Sequence, residues 1–462
     1  MLNNSSYKTF INKALYLIFT SLILCIPAFY NRFPFFYSDS ALYIGSSINL
    51  IPTADRPIGY ALFIRGVTWQ SSLWLVIYFQ ALISNLIIYY VIRKIRFNSN
   101  IKILHIFILI VFSVFCSLGW FVSQLMPDIF TPLLILSVYI YFSEKRKFSF
   151  GILILLLLMI LCLIVHLSNF PIFILCLLTI LLIVVFSKRF KEKRKQYLLK
   201  MIAPLIVLII SSNILMIYNY SYFNKYKLST TSHIFFLARL IDTGVIDEYL
   251  EDNCGKYDFT LCKYKNEIPK SSQIFIWGQD SPYYKTGSWS TSHEDYNIMI
   301  NDILTTPKYL KVVLSDFTIS AFKQLFNFKI GEGIDCAFDE NTAPIQYVLS
   351  KFPKSEIKRD LLLSDQNTNK MNFREINILH YLIILASILI IIFVLFKKKL
   401  SDKMFLLTWL ILSGIFYNAA VCADLSNVLN RYQSRVIWLL PLLAIILTAE
   451  TFDFKFKNDK EI

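Results

Sequence analysis

Seven side chains in this sequence have the types and spacing to do chemistry. They are Asp39 in SDSALY, Asp55 and Arg56 in ADRPIGY, Asp128 in MPDIF, His166 in HLSN, and Arg431 and Arg435 in NRYQSR. A carboxylate such as Asp39 can orient or deprotonate a hydroxyl, or hold a cation beside a phosphate. Asp128 can share that cation or divide acid and base roles with Asp39. Arg56 can grip a phosphate, with Pro57 and Gly59 fixing a sharp turn behind it, while Asp55 either pairs with Arg56 or acts on substrate. Arg431 and Arg435, at i and i+4, share one helix face and can bind a lipid phosphate bidentately.

Each residue also has a plainer reading. Ser38, Asp39 and Ser40 suit the start of a helix, and Pro127 with Asp128 suits a first helical turn. Asp55 and Arg56 can form an internal pair, and His166 can cap its own turn. Arg431 and Arg435 can anchor a span end on lipid headgroups. TSHEDY, with His293, Glu294 and Asp295, has no spacing that defines a site.

The elements that must position these groups follow from composition. Over 462 residues, 56% are hydrophobic and 17% charged, with a mean hydropathy of +0.55, which excludes an ordinary soluble domain. The net charge of +15 lies in short clusters between apolar runs. That is the pattern of positive-inside loops and not of a nucleic-acid-binding module, so no nucleic-acid partner is expected. Ten apolar runs are candidate spanning helices: residues 11–30, 72–92, 101–120, 128–142, 148–165, 169–186, 201–218, 376–396, 403–421 and 436–451. Arg93, Lys94, Arg96 and Lys102, then Lys145, Arg146 and Lys147, then the run at 188–200, then Lys397, Lys398, Lys399 and Lys403 all fall on one side. That side is expected to be the cytoplasm, shared by Lys8 and Lys13 near one end and Lys455, Lys457 and Lys460 near the other. The first run lacks a small-residue cleavage site behind it and reads as a retained span of the inner or plasma membrane.

The fold expected is therefore an all-α polytopic membrane protein. It has an N-terminal membrane module (1–218) with an outer loop at 31–71, an α-rich extracytoplasmic domain (219–375), and a C-terminal membrane module (376–462). All seven candidate residues then face outward. Residues 307–328 repeat apolar positions every three or four, as either an interfacial or a buried packing helix. Cys25, Cys116, Cys162 and Cys176 read as packing residues in spans, whereas Cys254 and Cys262 can close a disulfide outside. Cys336 has no local partner.

SDSALY in the first outer loop, RPIGYALF before the second span and MPDIF beyond the third, with many helices and a late outer domain, resemble the GT-C superfamily of membrane glycosyltransferases. The resemblance covers mainly residues 1–190. It implies a polyprenyl-phosphate-linked sugar donor, a lipid or glycan acceptor, surrounding membrane lipids as partners, and inverting transfer. It makes Asp39 the catalytic carboxylate, Asp128 the second acid, and Asp39 with Asp128 a candidate site for a divalent cation, Mg or Mn. Arg56 falls at the family's turn, and Arg431 and Arg435 are assigned to donor phosphate by charge and location. MPDIF carries one aspartate where many relatives have a pair, and the outer domain here precedes three spans instead of ending the chain. A transporter or lipid flippase is the alternative, and would need internal repeats and mid-span polar residues.

Overall fold

The structure is a computed structural model that describes residues 4–94, 101–144, 149–335, 337–338, 342, 345–346, 349 and 360–451. Arg96, Lys145, Arg146, Lys147, Cys336, Lys455, Lys457 and Lys460 lie outside the described residues, as does the side chain of Lys8. The chain is an all-α membrane protein. Among the described residues, seven helices are long and apolar enough to cross a membrane: Ile11–Asn31, Trp74–Lys94, Asn169–Phe186, Lys188–Phe223, Arg374–Lys397, Asp402–Leu425 and Asn430–Glu450. Three shorter apolar helices, Ile101–Val114, Pro127–Ser143 and Phe150–Val165, fill the remaining runs. Helices prevail because an apolar medium leaves every backbone N–H and C=O to be paired within the segment.

The first half comprises α1 (Asn4–Ser21), α2 (Ile26–Asn31), α3 (Ser40–Asn49), α4 (Gly59–Thr68), α5 (Trp74–Lys94), α6 (Ile101–Val114), α7 (Ser117–Val122), α8 (Phe130–Ser143), α9 (Phe150–Val165), α10 (Asn169–Phe186), α11 (Arg194–Lys200) and α12 (Ile202–Phe223). The expected loop at 31–71 thus folds into a helical pair, α3 against α4. The expected span at 101–120 is two helices. α7 turns back so closely on α6 that a Cβ on Gly119 would lie 2.5 Å from the Ser113 carbonyl oxygen. α8 is buried along its whole length and packs on α5, α9, α10 and the late helix at Asp402–Leu425. Its surroundings are protein on every side, which is why its hydrophobicity has no face.

The middle of the chain has a hydrophobic core of its own, built on Leu237, Val245, Tyr249, Phe275, Tyr283, Tyr296 and Met299. It is formed by α13 (Ser232–Asp242), α14 (Val245–Asn253), α15 (Ser272–Trp277), α16 (Pro282–Lys285), α17 (Glu294–Thr305) and the start of α18 (Pro307–Phe326). Cys254 and Cys262 are joined by a disulfide across a separation of 8 residues. Closing so short a loop restricts the unfolded chain by ~2–3 kcal/mol. Cys254→Ser/Cys262→Ser is expected to lower the melting temperature of the purified protein, and an unchanged melting curve would contradict this. The helix expected within residues 307–328 is present and packs by one face. α18 buries Tyr309, Val313, Ser320, Ala321 and Gln324, while Leu314, Ile319, Phe322 and Phe326 remain exposed.

The last helices are α19 (Arg374–Lys397), α20 (Asp402–Leu425), α21 (Asn430–Ile437) and α22 (Leu439–Thr451). α19 packs on α22, and α20 packs on α10, α8 and α18. Cys25, Cys116, Cys162, Cys176 and Cys422 are free and buried.

Candidate functional site

A backbone bridge and a buried side-chain amide bring the first loop to the start of α8. Phe35 forms an isolated parallel bridge with Gln124, its N–H donating to the Ser123 carbonyl at 2.8 Å and its carbonyl accepting from Leu125 N at 2.9 Å. Buried Gln80 donates to the carbonyls of Val122 and Gln124 at 2.8 and 2.9 Å and accepts from the Tyr60 hydroxyl at 2.8 Å. Tyr60 belongs to RPIGYALF, so that motif is fastened to the segment leading into Asp128.

Asp39 occupies the N-cap position of α3 but makes no capping hydrogen bond. Its carboxylate turns to arginine, with Arg56 Nη2 at 2.9 Å from Oδ1 and Arg431 Nη1 at 3.8 Å from Oδ2. Arg56 also reaches Asp55 Oδ2 at 3.7 Å. Arg431 continues the chain of charges, its Nε 3.7 Å from Asp128 Oδ1, and Arg435 Nη1 meets the same oxygen at 3.2 Å. Arg435 then donates through Nε and Nη2 to Asn418 Oδ1 at 3.0 and 2.8 Å and through Nη2 to Ser168 Oγ at 3.1 Å. Ser168 Oγ in turn lies 2.8 Å from His166 Nδ1. All seven residues singled out in the sequence join one continuous polar network, although residues 39 and 435 lie at opposite ends of the chain.

The network has an open end and a closed end. The side chains of Asp39 and Arg56 are each 19% exposed, whereas Asp128 and Arg435 are at 1% and 0%. An incoming molecule therefore meets Asp39 and Arg56 first, while Asp128, itself paired with Arg435, holds Arg431 from behind. Burial alone raises the pKa of Asp39, but Arg56 and Arg431 outweigh it and hold the carboxyl below its ordinary value, so it stays anionic. Burial, reinforced by the Arg435 guanidinium, pushes His166 down to about 3, leaving the imidazole neutral. Arg56 Nε, Arg431 Nε and Asp128 Oδ2 are buried without a hydrogen bond.

These residues do not fit the expected divalent cation. The guanidinium of Arg431 stands between Asp39 and Asp128, where a shared cation would sit, and three arginines surround the two carboxylates. No group of three or more His, Cys, Asp or Glu side chains is placed to hold a metal among the described residues. The cluster has the donors of an anion site. Gly59 is likewise not the turn residue expected. It is the first residue of α4, and a Cβ there would lie 2.2 Å from the Ile164 carbonyl oxygen, so glycine lets α4 pass the end of α9 just before His166.

Several participants had no signal in the sequence. Tyr37 stacks under the Arg431 guanidinium at 4.2 Å. Glu332 Oε2 accepts from the Arg431 backbone N–H at 2.8 Å, satisfying an otherwise unpaired donor in the first turn of α21. Gly333, at φ +78°, packs against the Tyr37 ring so closely that a Cβ would lie 1.8 Å from it. Gln366 clasps the backbone of Phe36, accepting from its N–H at 2.9 Å and donating to its carbonyl at 2.6 Å. From the segment leading into α13, Thr230 and Thr231 donate to the Ala54 carbonyl at 2.9 and 3.0 Å, just ahead of Asp55.

No family model, curated protein or solved structure matches the chain.

Proposed function

We propose that this chain is an integral membrane glycosyltransferase of the GT-C kind, moving a sugar from a polyprenyl-phosphate donor to an extracytoplasmic lipid or glycan acceptor. The observation that carries this reading is the meeting of Asp39 with Arg56 and Arg431 at the exposed end of a buried charge network. A first-loop carboxylate beside two guanidiniums supplies an orienting group for a hydroxyl and donors for a departing phosphate. In this reading the acceptor hydroxyl hydrogen-bonds to Asp39 and attacks the anomeric carbon from the face opposite the phosphate. A bond forms from acceptor oxygen to anomeric carbon as the bond from that carbon to the phosphate oxygen breaks. Arg56 and Arg431 take up the charge of the leaving phosphate, and the hydroxyl proton passes by way of Asp39 to that phosphate. Asp128 and Arg435 act as positioning residues, and no metal step is invoked.

The same reading takes the three shorter apolar helices as spans, giving ten in all. Both described ends of the bundle then face the cytoplasm, the Asp39 site opens outward in the inner or plasma membrane, and residues 219–375 form an outer domain between membrane modules 1–218 and 376–462. A site at the membrane edge suits a donor whose lipid tail stays in the bilayer while its head reaches Asp39. A transporter or flippase is less well supported, because the network joins residues at helix ends and the loops between them.

Asp39→Asn is expected to reduce transfer of sugar from a polyprenyl-phosphate donor by a factor on the order of 10²–10⁴, the range for losing a positioned acid or base. The check is product formation in vesicles holding purified protein. Full transfer by this variant would remove Asp39 from the mechanism, and failure of the wild type with every such donor would remove the glycosyltransferase reading.

A further inference from the structure

A second concentration of charge lies at the other end of the same helices. α10 starts beside Ser168 and runs 18 residues to Phe186, a length of ~27 Å that matches the apolar thickness of a bilayer. α20 carries Asn418 and Cys422, which touch Arg435, towards one end and begins at Asp402 at the other. Around that far end is an open cavity of about 800 Å³ lined by Lys188, Arg189, Lys398, Lys399, Leu400, Ser401, Asp402 and Glu450.

The acids of this cavity are already engaged. Asp402 is bound by Lys193 at 2.7 Å and approached by Arg189 at 4.0 Å, and Glu450 accepts from Ser401 Oγ at 2.7 Å. Arg189 is pinned in place, donating to the Leu400 carbonyl at 2.6 Å and lying 4.8 Å over the Phe405 ring. Lys188, Lys398 and Lys399 have no carboxylate in ion-pair range among the described residues. The cavity also adjoins the first turn of α20, capped by Ser401, where backbone N–H groups favour negative charge. Two residues before Lys188 and Lys398 stand Phe186 and Phe396, exposed at 77% and 86%. Apolar rings so exposed at the ends of apolar helices are suited to contact with lipid. A molecule with a phosphate in the cavity would therefore lay its apolar part against these rings.

We propose that this cavity is a binding site for a phosphate-bearing anion, filled by the headgroup of an anionic phospholipid of the leaflet opposite the Asp39 site. Basic pockets between helix ends bind such headgroups through phosphate charge and lysine donors. The inference is independent of the glycosyltransferase reading.

The test uses the intact purified chain in detergent doped with phosphatidylglycerol or with phosphatidylcholine, read by native mass spectrometry of retained lipid. Lys188→Gln/Lys398→Gln/Lys399→Gln is expected to reduce phosphatidylglycerol retention by a factor on the order of ten or more, since each basic residue near a charged surface contributes several-fold. The control removes equal charge from exposed positions of the middle domain, Lys256→Gln/Lys263→Gln/Lys265→Gln, and should retain the lipid as the wild type does. Equal loss in both triple variants, or no loss in the first, overturns the proposal. A second arm measures the melting temperature with inorganic phosphate alone. Stabilisation by inorganic phosphate that the first triple variant abolishes, without selective retention of phosphatidylglycerol, would make the ligand a soluble phosphate and overturn the lipid assignment.

Discussion

Arg435→Met is expected to destabilise the protein by about 3–5 kcal/mol, the cost of removing one partner from a buried ion pair. Arg435 is fully buried and makes its bonds to Asp128, Asn418 and Ser168 at once. Without it, Asp128 keeps a charge at 1% exposure with only Arg431 at 3.7 Å in range, and its Oδ2 already lacks a hydrogen bond. Methionine fills the volume of the aliphatic stem and isolates the electrostatic loss from a packing loss. The second half of the experiment is Asp128→Asn in the Arg435→Met background. Neutralising the stranded carboxylate should return part of the stability, giving a coupling on the order of 1–3 kcal/mol between the two sites. Thermal or denaturant unfolding in detergent measures both variants. A single variant within about 0.5 kcal/mol of the wild type, the ordinary surface range, would show that the network is not a stability element.

Gly333→Ala is expected to have the second largest effect, and to act on the site instead of the bundle. Two costs combine there. Alanine at φ +78° is strained by ~1–3 kcal/mol, and its Cβ would overlap Tyr37 Cε2 at 1.8 Å, a collision that packed interiors resolve at a further ~1–3 kcal/mol. Tyr37 can yield only by leaving the face of Arg431. Gly244 supplies the comparison, with the same backbone sign at φ +77° and nothing within 4 Å of a built Cβ. Gly244→Ala should carry the strain alone. Gly333→Ala should depress the proposed sugar transfer well beyond the loss in Gly244→Ala at matched folded protein. Equal behaviour of the two would mean that the Tyr37 contact is not what holds Arg431.

The residues that sequence reasoning reached, and those it missed, divide along a physical line. Charge in an apolar chain stands out, because keeping Asp128 or Arg435 out of water needs a partner, so both were visible from type alone. Their pairing was not, because Asp128 and Arg435 become neighbours only when α21 docks on α8. Uncharged polar groups gave no contrast. Asn418 sits in the run LSGIFYNAAVC and reads as a tolerated residue of a span, yet it holds the Arg435 fork. Gly119 and Gly59 gave a weak signal, since a glycine in an apolar run marks close approach as readily as a turn. That ambiguity is why Gly59 read as a turn. The isolated i and i+4 spacing of Arg431 and Arg435 suggested a bidentate grip on phosphate, whereas in the fold both first serve the carboxylates. The long apolar runs were legible throughout, because backbone pairing in a bilayer leaves them little choice but helix.

The network also sets an order on how the protein is made. Asp128 leaves the ribosome about 300 residues before Arg431, and Arg56 and Asp39 about 375 and 390 before it, which is tens of seconds earlier at ~5–20 residues per second. During that interval the N-terminal helices must carry an acid whose final counter-ions do not yet exist. The helices around Asp128 cannot reach their finished packing before that counter-charge arrives. Their consolidation waits for α21, and the ionic latch closes only after Arg431 and Arg435 have been synthesised.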